Sequence, residues 1–491
     1  MNIFSDFVFI IIHDGNPFVI VIFGATGDLA QHKLLPALYS LFKKKSLGEK
    51  FYIVGFARRD FSDDDYRQMI SDELQKQDEP EWEAFIKNLY YQQGMFDEEK
   101  GYTELIHKLN GFDAQIGACI TRLFYLATPP DNYETILSFV ESTKLSEGCG
   151  QGSEKWTRLA IEKPFGKDLD TAKHLDALLA KVFEERQIYR VDHYLGKETM
   201  QNMIAFRFAN SIFEPVWNKE HIDHVQITWV EEEGVRTHGR TFDGLGMLRD
   251  VGQNHLLQML ATVAMEQPKD FSKEGVRDAR ANAIKAILCP KESEVKDVVV
   301  RGQYKEYREE KNVDPNSQSE TFVAAKLFVD TPRFADVPFY VRTGKKMKEE
   351  KMEIKVVFKQ TCHILFKEYG CPEVGNVLTI RIQPDEGITL RMIAKKPGNA
   401  LSLDTVDMKF TYHQSFGGHG ADAYEKILLD ILHGDQMLFN RSDELDSSWH
   451  LISTILEGWE KEKEEIPHYE SGTWGPDSAD RLIESDGRKW L

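Results

Sequence analysis

Two rhythms of apolar and polar positions divide the chain. In the first part, short runs that are apolar at nearly every position alternate with helical stretches. The runs are Phe18–Phe23 (FVIVIF), Phe51–Ala57 (FYIVGFA), Arg122–Ala127 (RLFYLA) and Arg158–Pro164 (RLAIEKP); LLPALYSLFKKK (Leu34–Lys45) has helical spacing. A strand that is apolar on both faces needs cover on both faces, so this alternation predicts a parallel, doubly wound sheet. Beyond about Tyr189 the rhythm changes to period two, in VQITWVE (Val225–Glu231), EIKVVFK (Glu353–Lys359), VLTIRIQP (Val377–Pro384) and ITLRMIAK (Ile388–Lys395). Leu378, Ile380 and Ile382 face one way, and Thr379, Arg381 and Gln383 the other. Such alternation predicts an antiparallel sheet with one covered face. The long helical stretch Met247–Glu266 is expected to pack near it.

At 491 residues the chain is too long for one ordinary core, so two domains are expected. Apolar residues at 41% and charged residues at 29% fit a soluble globular protein. The 80 acidic residues outnumber the 61 basic ones, for a net charge of −19. That balance argues against nucleic acid or an anionic membrane as partner, and an anionic ligand would then need a local cationic cluster. The five cysteines, Cys119, Cys149, Cys289, Cys362 and Cys371, show no CxxC spacing. Neither a disulfide framework nor a zinc site is expected, and a reducing, cytoplasmic setting is. The opening MNIFSDFVFIIIHDG carries an apolar run, Phe7–Ile12, without a basic flank. It falls well short of the ~18 apolar residues of a membrane helix. Residues 1–17 are read as a leader with no assigned role.

The first apolar run leads into GATGDLA: Gly24, Ala25, Thr26, Gly27, Asp28, Leu29, Ala30. Glycines let the backbone turn tightly against a pyrophosphate, and the following helix offers free N–H groups and its positive end. The turn lacks the full GxGxxG pattern, and an ordinary strand–helix turn is the alternative. The second run ends GFARR, with Arg58 and Arg59 where an NAD-binding strand tends to end in an acid. A guanidinium can bind a 2′-phosphate that a carboxylate would repel, which favours NADP over NAD; two solvated arginines are the bland reading.

Three further stretches carry candidate chemistry. IEKPFGK (Ile161–Lys167) puts Lys163 at the carboxyl edge of the sheet, where ligands of such folds bind, although any strand exit can expose a lysine. YRVDHYLGKE (Tyr189–Glu198) gathers Asp192, His193, Tyr194 and Lys197. His, Tyr and Lys can all donate to phosphate oxygens, so this is either the required cationic cluster or a solvated loop. DVGQNHLLQML places Asp250 and His255 on neighbouring turns of one helix, not stacked on one line. A histidine there is either a satisfied core residue or a cleft-wall base.

Taken together, GATGDLA, GFARR, EKPFGKDL, YRVDHYLGKE, RDVGQNHLLQML, VPFYVRTGK and DAYEKILLD resemble the glucose-6-phosphate dehydrogenase family, in family order from roughly Phe18 to Glu465. The resemblance implies an N-terminal Rossmann-type NADP-binding domain, residues 1–189. It also implies an α+β substrate and dimerisation domain, residues 190–491, with a large mainly antiparallel sheet. It implies His255 as general base paired with Asp192, and a substrate site of Lys163, His193, Tyr194, Lys197, Glu231, Asp250 and Lys345. On the cofactor side it implies Gly24, Thr26, Gly27, Asp28, Leu29, Arg58, Tyr133 and Lys163. The implied partners are glucose 6-phosphate, NADP⁺ and a second copy of the chain, as a dimer or dimer of dimers, with no metal.

Three departures from the family pattern stand out. Glu350 occupies the place of a second cationic substrate contact, RTHGR (Arg236–Arg240) replaces the common EGRGG, and the tail GRKWL with Thr389 lacks the aromatic features of a second, structural NADP site. One dinucleotide per chain is therefore expected. Two rival readings remain. A sugar oxidoreductase of the glucose–fructose oxidoreductase type shares the EKP lysine but has no use for DHYLGKE. A silent nucleotide-binding regulator would not need Asp192 with His255.

Overall fold

Strand β1 (Phe18–Phe23) lies inside a parallel six-stranded sheet with β2 (Phe51–Ala57), β3 (Leu89–Gln93), β4 (Thr121–Leu126), β5 (Thr157–Glu162) and β6 (Ile188–Val191). The order is β3-β2-β1-β4-β5-β6, the doubly wound arrangement with its crevice between β1 and β4. Every residue of β1 has 0% exposure, as a strand covered by helices on both faces requires. The computed structural model describes residues 17–149, 157–416, 422–461 and 465–491. The leader expected at 1–17 therefore lies, but for its last residue, outside the described residues.

The helices start where the sequence provides caps. Ser62 and Asp65 form a capping box before Asp63–Leu74, and Asp168 and Thr171 form one before Leu169–Val182. Part of the EKPFGKDL motif is thus a helix start.

The second sheet has nine strands: β7 (Ile222–Val230), β8 (Val299–Tyr304), β9 (Phe322–Phe328), β10 (Pro338–Gly344), β11 (Lys351–Phe358), β12 (Val377–Gln383), β13 (Gly387–Lys395), β14 (Leu403–Thr411) and β15 (His468–Tyr469). Their order is β14-β13-β12-β11-β7-β10-β9-β8-β15. Pairing is antiparallel except at β7–β10 and β8–β15. The alternation read in β12 holds: Leu378, Ile380 and Ile382 are buried, while Arg381 is exposed. For β7 the expectation of one covered face is corrected. Gln226 and Thr228 are buried as well, because a central strand is covered on both sides and Gln226 bonds to the backbone of Lys489 and Leu491.

Two further corrections concern local chemistry. Met247–Glu266 is not one regular helix: residues Leu248–Leu256 form a π-helix that leads into the α-helix Leu257–Ala264. The cysteines also pair. Cys119 is bonded to Cys149 and Cys362 to Cys371, leaving Cys289 free. The first bridge joins residues 30 apart and the second closes a short stretch of 9, and neither spacing is the CxxC pattern sought in the sequence.

The two halves interlock. The helix Ala423–His433 packs on the helix Leu35–Lys43, and Tyr424, Ile427, Leu428 and Ile431 share one apolar cluster with Phe18, Ile20 and Leu38. Arg158 on β5 donates to the carbonyls of Ile431 and Leu432 at 2.6 Å, capping that helix at its negative end. Among the described residues, no helix is long and apolar enough to cross a membrane.

Candidate active site

The dinucleotide side is built at the carboxyl end of β1. Gly24 has φ +85°, and a Cβ there would lie 2.5 Å from the Ala127 carbonyl oxygen. Its N–H donates to Phe56 O at 2.9 Å, and the Gly27 N–H returns to Gly24 O at 2.9 Å. The turn therefore requires glycine, and Thr26, Gly27, Asp28 and Leu29 carry the backbone into the helix start. Arg58 follows β2 and is exposed. Tyr133 is 2% exposed, and its hydroxyl donates to the carbonyl of Glu162.

A second cluster forms where the chain leaving β6 meets the π-helix Leu248–Leu256. Asp192 leaves β6 and is 1% exposed; His255 comes from the π-helix and is 2% exposed. Asp192 Oδ1 sits 2.7 Å from His255 Nδ1 and accepts the Tyr194 N–H at 3.0 Å. The contact is close but off-axis, for Nδ1 has no aligned hydrogen-bond partner. Trp229 stacks on the imidazole, centroids 4.7 Å apart and planes within 11°, and Tyr194 lies at 4.4 Å. Burial, helped by the Lys163 cation, holds the His255 imidazole below its ordinary range, against the pull of Asp192. Burial opposes ionisation of Asp192, but His255, His193 and Lys163 win and keep it a carboxylate. A neutral ring that turns Nδ1 towards Asp192 has Nε2 as its other nitrogen for taking a proton.

Two lysine–carboxylate pairs flank this centre. Lys163 donates to Asp250 O at 2.9 Å and to Asp250 Oδ1 at 3.4 Å. Lys345 pairs with Glu231, which sits just past β7. Burial opposes ionisation of Asp250, yet Lys163, Lys345 and His255 hold its carboxyl below the usual range. The placement of Asp250 and His255 corrects the α-helical expectation. In an α-helix they would lie about 140° apart; the i→i+5 turn is wider and brings them towards one side, where they sense each other's charge.

His193, Tyr194 and Lys197 line a common cavity of about 1480 Å³ that runs out over β12, β13 and β14. Lys197 Nζ stands 5.1 Å over the Tyr194 ring and donates to Gln383 Oε1 at 2.5 Å. His193 is 4.5 Å from Tyr194 and 5.5 Å from His255, and burial holds its ring neutral, at about 3. Asp192, His193, Tyr194, Lys197, Asp250, His255 and Lys163 thus meet in one place. The glycine turn stands at the carboxyl end of β1, and Arg58 follows the neighbouring strand β2.

Four residues of the site had been missed. Trp229 is two positions before Glu231, and period-two alternation along β7 could have flagged it. Glu162 precedes Lys163, within EKPFGKDL. Gln383 lies in VLTIRIQP and Tyr424 in DAYEKILLD, but neither stretch says that the fold brings it to Lys197 or Glu162.

A doubly wound sheet with a glycine turn beyond its first strand, next to a buried neutral imidazole, serves hydride chemistry: the chain is a dinucleotide-linked dehydrogenase. Residues 21–202 match the family description "Glucose-6-phosphate dehydrogenase, NAD binding domain", and residues 204–491 match "Glucose-6-phosphate dehydrogenase, C-terminal domain". The chain belongs to the glucose-6-phosphate dehydrogenase family. It is 42% identical over 493 residues to a glucose-6-phosphate 1-dehydrogenase of Chlamydia muridarum, covering 96% of each chain. Identity to that of Bacillus subtilis is 40% over 482 residues, covering 96% of this chain and 98% of the relative. A solved glucose-6-phosphate dehydrogenase in complex with glucose 6-phosphate superposes with TM-score 0.88 at 34% identity, covering 96% and 98% of the two chains.

Proposed function

We propose that this chain oxidises D-glucose 6-phosphate at C1 to 6-phospho-D-glucono-1,5-lactone with hydride transfer to NADP⁺, the first step of the oxidative pentose phosphate pathway. The observation that carries the reading is the buried His255–Asp192 contact of 2.7 Å, with basic side chains beside it. His255 Nε2 takes the proton of the C1 hydroxyl, and Asp192 stabilises the imidazolium that forms. As the O–H bond breaks, the C1–O bond becomes a carbonyl and the C1 hydrogen departs with its electron pair. NADP⁺, when bound, supplies the nicotinamide carbon that accepts it.

The other residues hold the sugar phosphate still. His193 and Lys197, with the Tyr194 hydroxyl, take the phosphate. Asp250 and Glu231 accept bonds from sugar hydroxyls, and Lys163 and Lys345, now paired with them, donate. Trp229 excludes water from the face of the imidazole it covers. For the dinucleotide, the space that a Cβ at Gly24 would fill suits a close pyrophosphate, and Thr26, Gly27, Asp28 and Leu29 complete the turn. Arg58 suits a 2′-phosphate. Tyr133 contributes through the Glu162 carbonyl it holds, beside Lys163, which faces both ligands.

The residue-by-residue roles favour this reading over a glucose–fructose oxidoreductase type, because His193 and Lys197 answer a phosphate that free glucose lacks. Spectrophotometry tests it: NADP⁺ reduction with glucose 6-phosphate and little with glucose is expected. Equal rates with both sugars would reject it.

We also propose a homodimer through the outer face of the large sheet. Met392, Val406 and Met408 are exposed there at 40%, 47% and 61%, and the β13–β14 register sets Met392 opposite Val406 and Met408 opposite Leu390. Light scattering that found only monomers would reject the dimer.

A further inference from the structure

The motif DAYEKILLD has no part in the chemistry derived so far, yet its tyrosine reaches the site. Tyr424 begins the helix Ala423–His433, its N–H held by the Asp422 side chain at 2.8 Å, and it is 8% exposed. Its hydroxyl donates to Glu162 Oε1 at 3.2 Å, and the Tyr125 hydroxyl donates to the same oxygen at 2.6 Å. Its ring lies against His193, centroids 6.0 Å apart and planes within 21°.

We propose that Tyr424, fixed by Glu162, is a positioning residue that sets His193 for the substrate phosphate. This rests on the reading of His193 as a phosphate donor. The imidazole has a wall on one side, Tyr424, and Tyr194 and His255 on others. A ring wall can hold a neighbour's orientation only if it cannot itself turn, and a hydroxyl bonded to the half-buried Glu162 carboxylate restricts that freedom. Burying a carboxylate is costly, so an acceptor for two hydroxyls could have been supplied more cheaply by backbone carbonyls. Glu162 also precedes Lys163, so one side chain fixes both the wall of the phosphate end and the backbone that carries the lysine.

The carboxyl keeps a little exposed surface, but its environment is that of a buried group. Burial pushes it up to about 7; the two tyrosines and Lys163 oppose this, and Asp192 adds to it. The groups facing it are Tyr125 from β4, Tyr424 from the helix, Lys163 from its own loop and Asp192 from the turn after β6, while Tyr133 takes its carbonyl. Burial and Glu162 push the Tyr424 hydroxyl well above its ordinary range, so it stays a donor. Ionised Glu162 is the better acceptor for the two hydroxyls.

The test uses the full-length enzyme with Tyr424→Phe, Glu162→Gln, His193→Ala and the Tyr424→Phe, His193→Ala pair. Circular dichroism and thermal melting confirm folding. Tyr424→Phe is expected to raise KM for glucose 6-phosphate about 5-fold, the size of one lost hydrogen bond, with KM for NADP⁺ unchanged and kcat altered less than about 2-fold. Added to His193→Ala, it is expected to cause no further rise. Glu162→Gln keeps an oxygen acceptor for the two hydroxyls but not its charge, so it should raise KM less than Tyr424→Phe does. An unchanged KM in folded Tyr424→Phe, or an effect that persists in full without His193, overturns the proposal. If His193→Ala alone leaves KM unchanged, the phosphate reading of His193 fails and takes this proposal with it.

Discussion

Lys197 is tied to Glu350 through one amide: Lys197 Nζ donates to Gln383 Oε1 at 2.5 Å, and Gln383 Nε2 donates to Glu350 Oε1 at 2.7 Å. Burial lowers the Lys197 ammonium's range, and Glu386, Glu350 and Asp422 push it back up. An exposed acid therefore acts on a lysine proposed to bind phosphate. Glu350→Lys reverses that charge and should lower KM for the sugar phosphate by about 3- to 10-fold, less at high salt. An unchanged or higher KM would contradict it.

The proposed base, His255, can take a proton only when neutral. Its range is depressed below the ordinary 6.5, so the acidic limb of kcat/KM that it sets lies below that value, and kcat/KM falls as pH drops through it. His255→Asn should lower kcat by about 10²- to 10⁴-fold and keep nucleotide binding; full activity would remove the proposed base. Stability follows the same sign. The unfolded chain binds the His255 proton more readily, so this group's contribution is present above 6.5 and is lost as pH falls towards the folded value.

Arg58 extends beyond β2 into solvent. Its replacement by Ala should cut kcat/KM for NADP⁺ about 10- to 100-fold, the worth of a charge-assisted contact, and leave that for NAD⁺ nearly constant. A preference for NADP⁺ that survives the substitution would release Arg58 from the role.

Of five cysteines, only Cys289 is free, so a denatured, unreduced sample should label at one thiol and a reduced one at five. The Cys119–Cys149 bridge spans 30 residues, and opening it should cost about 3–4 kcal/mol in the loop-entropy account and lower Tm. Five thiols without reductant would refute both bridges.

What could be read from the chain alone was local. Phe18–Phe23 announced a strand covered on both faces, and the turn after it required Gly24 whatever its partners. Leu378, Ile380 and Ile382 declared the buried face of β12. Hidden features were of two kinds. The π-helix at Leu248–Leu256 changes which side chains share a side without altering the composition that suggests a helix. Tyr424 and Glu162 meet across 262 positions, Lys197 and Gln383 across 186, and no spacing encodes such meetings. Trp229 looked like one more apolar residue in a strand until His255 was found beneath it.

The return of the helix Ala423–His433 onto the helix Leu35–Lys43 also governs how the protein is made. During synthesis, the N-terminal sheet leaves the ribosome long before its last layer has been translated. Until Ile427, Leu428 and Ile431 arrive, Leu38 and its neighbours stay uncovered and adhesive. A fragment that stopped after β6 would leave Phe18, Ile20 and Leu38 without Ile427, Leu428 and Ile431, their partners in that cluster.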